Sequence, residues 1–424
     1  MSEAFSLRSK AYWRQLSWGV LVGLLSALGA FIFVSLMNRG IDLVWPDPPG
    51  WEPFSGSWTI VLIMTVAGLL VGIIHQVTDA KELNVFQALD TGHLDYKPVP
   101  ASLLASLVSL VGGFSLGPEV PTGMWAAGFG TWVSEKRQLD EETARTNVLS
   151  GVGGAYAGLF SSPLALLMMV LESRHMQTMM YYGTLFIVGL AAVAGFSLFF
   201  WLSGGSFSSL LRIVQPPVYE LRVWQIGAGL LFGILALPIA AIFMLLSKLL
   251  KTLVAPLNKQ PILRGVIGGL LLGLLGKALP LTLFLGTAGL STTTSQAAEI
   301  GVGLLVLYAF AKLLALGGAL SFGFIGGPIF PLLFIGATLG SAINLLIPQI
   351  PLGLAVGCMM AAVPAAIVPI PLALALIVAL IVGLSPLNVV PVVLASLTSF
   401  AVVHGLGLGG GQKKEEPKTA APVS

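Results

Sequence analysis

The stretch Gly112-Gly-Phe-Ser-Leu-Gly-Pro-Glu-Val-Pro-Thr-Gly123 decides how this chain is read. Glu119 is the single ionisable side chain between Ala101 and Val133. A charge at membrane depth is costly unless it faces protein or water, so an isolated carboxylate here points to a function. The flanking glycines and prolines break a helix, and Val120-Pro121 suits a helix start, because a first-turn proline needs no N–H. Glu119 is therefore expected at a helix N-terminus. Free backbone N–H groups and the positive end of the helix dipole there suit a carboxylate, or a small anion competing for its place. The plainer reading is a carboxylate that only caps a helix or pairs with a distant cation; no Lys or Arg lies within sixteen residues on either side.

A second stretch, Gly326-Gly-Pro-Ile-Phe-Pro331, repeats the pattern. Aligning Gly117-Pro-Glu-Val-Pro121 with Gly327-Pro-Ile-Phe-Pro331 gives an offset of 327 − 117 = 210 residues, close to half the chain. Gly158-Leu-Phe-Ser-Ser-Pro163 and Ala366-Ile-Val-Pro-Ile-Pro371 recur at 371 − 163 = 208. Paired halves with Gly- and Pro-broken hydrophobic segments are the sequence mark of a transporter with its site near the bilayer midplane.

Composition agrees. The 424 residues are 56% hydrophobic and only 9% charged, against about 25% charged in soluble proteins. The 51 glycines suit closely packed membrane helices. The lone Cys358 excludes an internal disulfide and implies no metal site. No cofactor and no nucleic-acid partner is expected. Arg8, Lys10 and Arg14 precede the first span and Lys413, Lys414 and Lys418 follow the last, which places both termini in the cytoplasm by the positive-inside rule.

Taken in order, the chain divides into a cytoplasmic segment (1–14), a first membrane repeat (15–201), a linker rich in Gly, Ser, Pro and charge (202–223), a second repeat (224–406) and a flexible cytoplasmic tail (407–424). Arg39 to Ser57, with Trp45-Pro-Asp-Pro-Pro-Gly50, reads as an external loop. Leu83, Phe86 and Leu89 mark a short amphipathic helix. Ala101–Leu116 and Thr122–Val133 are short apolar helices flanking Glu119, and Gly286–Glu299 reads as a polar re-entrant loop.

On these motifs the chain resembles the CLC family of chloride channels and chloride/proton antiporters. That family carries G-[KR]-E-G-P with a gating glutamate and, later, G-x-F-x-P. Here the two read Gly117-Pro118-Glu119-Val120-Pro121 and Gly327-Pro328-Ile329-Phe330-Pro331. Ser150-Gly-Val-Gly-Gly-Ala-Tyr-Ala-Gly158 with Glu172, and Lys312 ahead of the second motif, add to the likeness, which spans roughly residues 15 to 405. The resemblance implies an all-α integral membrane fold of two inverted-topology halves with many tilted, broken and re-entrant helices. It also implies a homodimer with one pore per chain, in the lipid bilayer. Glu119 would be the gate, and Gly117, Pro118, Val120, Gly327, Pro328, Ile329 and Phe330 the anion-binding backbone.

Departures from the family pattern direct attention elsewhere. The G-S-G-I-P loop, whose serine helps hold the central anion, is absent; counting back from Glu119 without gaps puts Val77-Thr78-Asp79 in its place, so Thr78 is the candidate hydroxyl, against a reading as an ordinary helix cap. No tyrosine follows Asn388, and His404 is the nearest polar ring. Antiporters of the family carry two acidic residues where this chain has Glu172-Ser173, and a serine holds no transferable charge near neutral pH. The expectation is therefore passive, channel-like transport of chloride or a similar small anion. Proton antiport through Glu119 with Glu172 or His175 is the alternative, since histidine titrates near neutrality; Glu172 reads otherwise as a cap or a partner of Arg174. A non-conducting membrane receptor or assembly protein is a third reading. An enzyme is not expected, because four histidines form no catalytic constellation.

Overall fold

Seventeen α-helices and no strand make up the residues that the computed structural model describes, 9–173, 180–204 and 213–407. The first half holds α1 (Lys10–Val44), α2 (Trp58–Val77), α3 (Val85–Thr91), α4 (Val99–Val111), α5 (Glu119–Lys136), α6 (Glu141–Leu159), α7 (Pro163–Ser173) and α8 (Met180–Leu202). The second holds α9 (Val223–Val254), α10 (Pro261–Ala278), α11 (Thr287–Ser295), α12 (Ala297–Ile300), α13 (Val302–Ser321), α14 (Ile329–Leu346), α15 (Leu352–Ala365), α16 (Pro371–Val382) and α17 (Val389–Gly405). Eight of the described helical spans are long and apolar enough to cross a bilayer. The apolar helices α4, α7, α15 and α16 have 10–17 residues in their apolar stretches, short of the ~20 that span upright. At least one end of each therefore finishes against protein.

Glycine sets the packing. Membrane helices gain little from hydrophobic burial against one another, so close backbone approach through small residues holds them together. Where α2 crosses α10, a Cβ on Gly68 would stand 2.1 Å from the Gly265 carbonyl oxygen, and one on Gly265 would stand 2.1 Å from that of Gly68. Nearly all of α6, α14 and α15 is buried, so these helices form the centres of the two halves. Leucines on α9 such as Leu231, Leu245 and Leu253 face outward. Outside the apolar region Asp140 caps α6, accepting from the Thr143 N–H at 3.0 Å and its hydroxyl at 2.7 Å; these bonds hold its carboxyl below the usual aspartate range.

Two expectations are corrected here. Residues 39–44, read as loop, continue α1 to Val44; nothing breaks the helix until Trp45, which precedes Pro46 and anchors its indole on the Val111 carbonyl at 2.8 Å. The polar segment 286–299 is largely helix, α11 and α12, not a loop. Its hydroxyls bond back along the helix, Thr293 to Gly289, Thr294 to Leu290 and Ser295 to Ser291, so their polarity is satisfied without an irregular backbone.

Candidate functional site

The 210-residue offset becomes a set of contacts. Gly117 and Gly327 exchange two backbone hydrogen bonds, each N–H to the other's carbonyl at 2.8 Å, in an isolated antiparallel bridge. Phe114 and Phe324, also 210 apart, stack with ring centroids 3.6 Å apart and an interplanar angle of 21°. Gly113 and Gly323 both take a left-handed backbone, φ 89° and 87°, which suits glycine because no Cβ opposes it. Pro118 and Pro328 then cap α5 and α14 in like conformations. Pro121 and Pro331 fall in the first turns of those helices, where no N–H is missed. Two copies of one helix-breaking loop thus meet about a local twofold axis.

The copies differ in what they carry. Glu119, the first residue of α5, is 2% exposed, and its Oε1 accepts from the N–H of Ile329, the first residue of α14, at 2.6 Å. Its Oε2 has no protein partner. The carboxylate of the first half thus occupies the N-terminus of the second half's helix, where N–H groups and helix dipole favour negative charge. The fit is tight: a Cβ on Gly327 would stand 2.1 Å from Glu119 Cδ and Oε1, and one on Gly117 would stand 2.0 Å from Oε2. The two glycines leave the room that the carboxyl fills. Tyr156 of α6 donates its hydroxyl to the Glu119 carbonyl at 2.7 Å and fixes the start of α5.

A cavity of about 360 Å³ adjoins the carboxylate, lined by Glu119, Val120, Pro328 and Ile329 and, from elsewhere, by Glu82, Asn84, Tyr156 and the 367–369 turn. Glu82, Asn84 and Tyr156 are absent from the sequence-derived set. Thr78 does not line the cavity: it ends α2, is exposed, and donates its hydroxyl to Ile74 at 2.6 Å. The gap-free count fell short because the chain makes α3 and a turn before α4. Asn84, the N-cap of α3 with its Oδ1 on the Gln87 N–H at 3.0 Å, lines the cavity instead. The signal was present, since Asn followed three residues on by Gln is a helix-start pattern. Phe330 packs on Phe160, centroids 5.6 Å apart, rather than lining this cavity.

The remaining candidates lie apart from Glu119. Glu172 accepts from the N–H groups of Leu372 at 2.5 Å and Ala373 at 3.1 Å, one oxygen to each, so it caps α16. Ser173 closes α7; its side chain, Arg174 and His175 lie outside the described residues. His404 is exposed near the end of α17, its Nδ1 3.0 Å from the Phe400 carbonyl. Lys312 is fully buried on α13, and its ammonium donates to the carbonyls of Leu281, Thr282, Leu283 and Phe284 at 2.8–3.2 Å. It is spent on that turn. The ion pairs among the described residues, Lys81–Asp95 at 3.8 Å and His93–Glu135 at 3.2 Å, leave Glu119 uncompensated. His75 ties the end of α2 to the second loop, its ring nitrogens 3.0 Å and 2.8 Å from the Ala80 and Gly323 carbonyls.

A duplicated membrane fold whose broken helices converge on one buried carboxylate is the architecture of an ion transporter. The profile of the voltage gated chloride channel family matches residues 67–404. The chain belongs to this family, CLC, whose members transport anions. Among curated proteins it is 27% identical over 352 residues to the YfeO protein of Salmonella paratyphi A, covering 80% of this chain and 82% of that one, and 28% identical over 353 residues to YfeO of Salmonella typhimurium, with the same coverage; their names give ion transport as the expected role. Among solved structures it is similar to a slow cyanobacterial Cl⁻/H⁺ antiporter, with TM-score 0.77, 20% identity and 95% and 96% of the two chains covered. It is also similar to a CLC-type fluoride/proton antiporter, with TM-score 0.71, 20% identity and 91% and 94% covered.

Proposed function

We propose that the protein conducts chloride or a similar small anion passively, as a homodimer with one path per chain and both termini in the cytoplasm, and that Glu119 is the gate. One observation carries the reading: a fully enclosed carboxylate holds a helix N-terminus with one oxygen and leaves the other unpartnered beside a cavity. A small anion in place of Oε1 would meet the same Ile329 N–H and the same dipole. Ionised, the side chain competes with the anion; protonated, it loses that advantage and swings aside. The protein is on this reading a transporter and not an enzyme.

The uncoupled form draws support from Glu172, whose two oxygens are both engaged at α16, and from the serine that follows it. Proton-coupled exchange through Glu119 with Glu172 or His175 is the second reading, favoured by the solved antiporters that share the fold. Liposomes holding purified protein separate the two. Glu119→Gln, which imitates the protonated acid, should keep chloride efflux and lose most of its pH dependence. An unaltered pH profile would remove Glu119 from the gate. A chloride gradient should drive no uphill proton movement in the wild type, and a reproducible uphill flux that vanishes in Glu119→Gln would establish antiport instead.

A further inference from the structure

The cavity beside Glu119 holds a second carboxylate. Glu82 sits in the irregular segment between α2 and α3, outside the spanning helices, and lines the same space as Glu119, Asn84 and Tyr156. It takes part in neither of the ion pairs formed by the described residues. An anion leaving the α14 N-terminus into this cavity would pass a fixed negative charge, and such charges at pore mouths set the traffic of ions. We propose that Glu82 is an electrostatic valve on the anion path: ionised it retards anions crossing this cavity, and protonated it lets them pass faster.

The proposal rests on the reading of Glu119 as the gate and adds to it a control that acts at the mouth. The groups facing Glu82 fit the role. Lys251, in the last turn of α9, acts on its charge across the gap. Lys81, its neighbour in the chain, is turned to Asp95, and Glu119 lies along the cavity wall. Although the Glu82 side chain reaches solvent, the protein around it strips enough water to push its carboxyl above the usual range, and Lys251 partly offsets this. The valve therefore opens as the solution on this side is acidified. It is a different device from the gate, since Glu82 occupies no helix N-terminus and acts through space alone.

The size of the effect follows from Coulomb's law: one unit charge at roughly 7 Å in water changes an anion's passage by about three-fold. At low ionic strength, Glu82→Gln should raise chloride efflux from liposomes about three-fold at pH 7.5, and Glu82→Lys, a change of two charges, by about nine-fold. Both gains should shrink as an impermeant salt is raised toward 1 M, where screening acts within about 3 Å. Lys251→Met should lower efflux, and Glu82→Asp, which keeps the charge, should leave it near the wild-type rate. If Glu82→Gln does not fold, as judged by gel filtration in detergent, Glu82→Lys and Lys251→Met carry the test. Rates unchanged or lowered in the folded Glu82 variants, with Glu119→Gln behaving as a gate mutant, overturn the valve and leave the gate standing. An unaltered pH profile in Glu119→Gln removes the gate itself, whatever Glu82 does.

Discussion

The loops 113–121 and 323–331 are two editions of one backbone. Each opens on a left-handed glycine, sends a phenylalanine to stack on its twin, pairs a glycine with its twin and enters a helix through Pro-x-x-Pro. They part company at a single functional position: the first helix starts with Glu119 and the second with Ile329. Duplication has supplied two helix N-termini, and a single carboxylate serves both, anchored at one and bonded to the other. The scaffold is symmetric and the chemistry is not. A second glutamate at 329 would set two like charges within one small space, and one would have to give up its ionisation.

The two bridging glycines give the sharpest way to test that asymmetry. The three atoms nearest a Cβ at 327 all belong to Glu119, whereas a Cβ at 117 would also meet Phe330 Cδ2 at 2.8 Å. Gly327→Ala should therefore abolish or nearly abolish efflux, because the added Cβ wedges against the Glu119 carboxyl in the path, and overpacking at such a site costs about 1–3 kcal/mol. Adding Glu119→Ala should restore efflux at 327 and fail to do so for Gly117→Ala. Equal rescue at both glycines would mean that the loops are energetically interchangeable. A middle-sized effect is expected at Glu172. Its removal leaves two N–H groups at the start of α16 without partners, so Glu172→Ala should lower stability by about 1–3 kcal/mol in a detergent melting assay while the pH profile of efflux stays put. A shifted pH profile with unchanged stability would move Glu172 from cap to proton carrier. The smallest effect belongs to Tyr156→Phe, which deletes one hydrogen bond to Glu119's carbonyl at about 1 kcal/mol and should shift the midpoint of the pH profile without removing it.

Much of this arrangement is legible in the sequence, for a physical reason. Glycine, proline and isolated charge are local signals: Glu119 stands out because nothing near it in sequence is ionisable, and Gly-Pro-x-x-Pro marks a helix start in either half. The repeat offset likewise depends on sequence alone, and the Gly117–Gly327 bridge joins the residues that it aligns. What failed were inferences about distance across an irregular segment. A count of residues points to Thr78 but cannot tell how a turn and the short α3 consume length; the cap pattern of Asn84 and Gln87 marks the helix start. Thr and Ser in 291–295 read as loop by polarity alone, whereas in the helix their hydroxyls bond to the preceding turn. Nothing local marks Glu82, since only the fold brings its segment to the cavity.

The bridge between Gly117 and Gly327 also dictates when the pathway comes into being. A ribosome that has just released Glu119 must add 210 further residues before it reaches Ile329, roughly 10 to 40 s at about 5–20 residues per second. Throughout that interval the carboxylate has no Ile329 N–H to meet, and the half-made chain contains a helix start and an acid but no ion path. On the proposed reading of Glu119 as the gate, a half-made or truncated chain therefore carries no anions by this route.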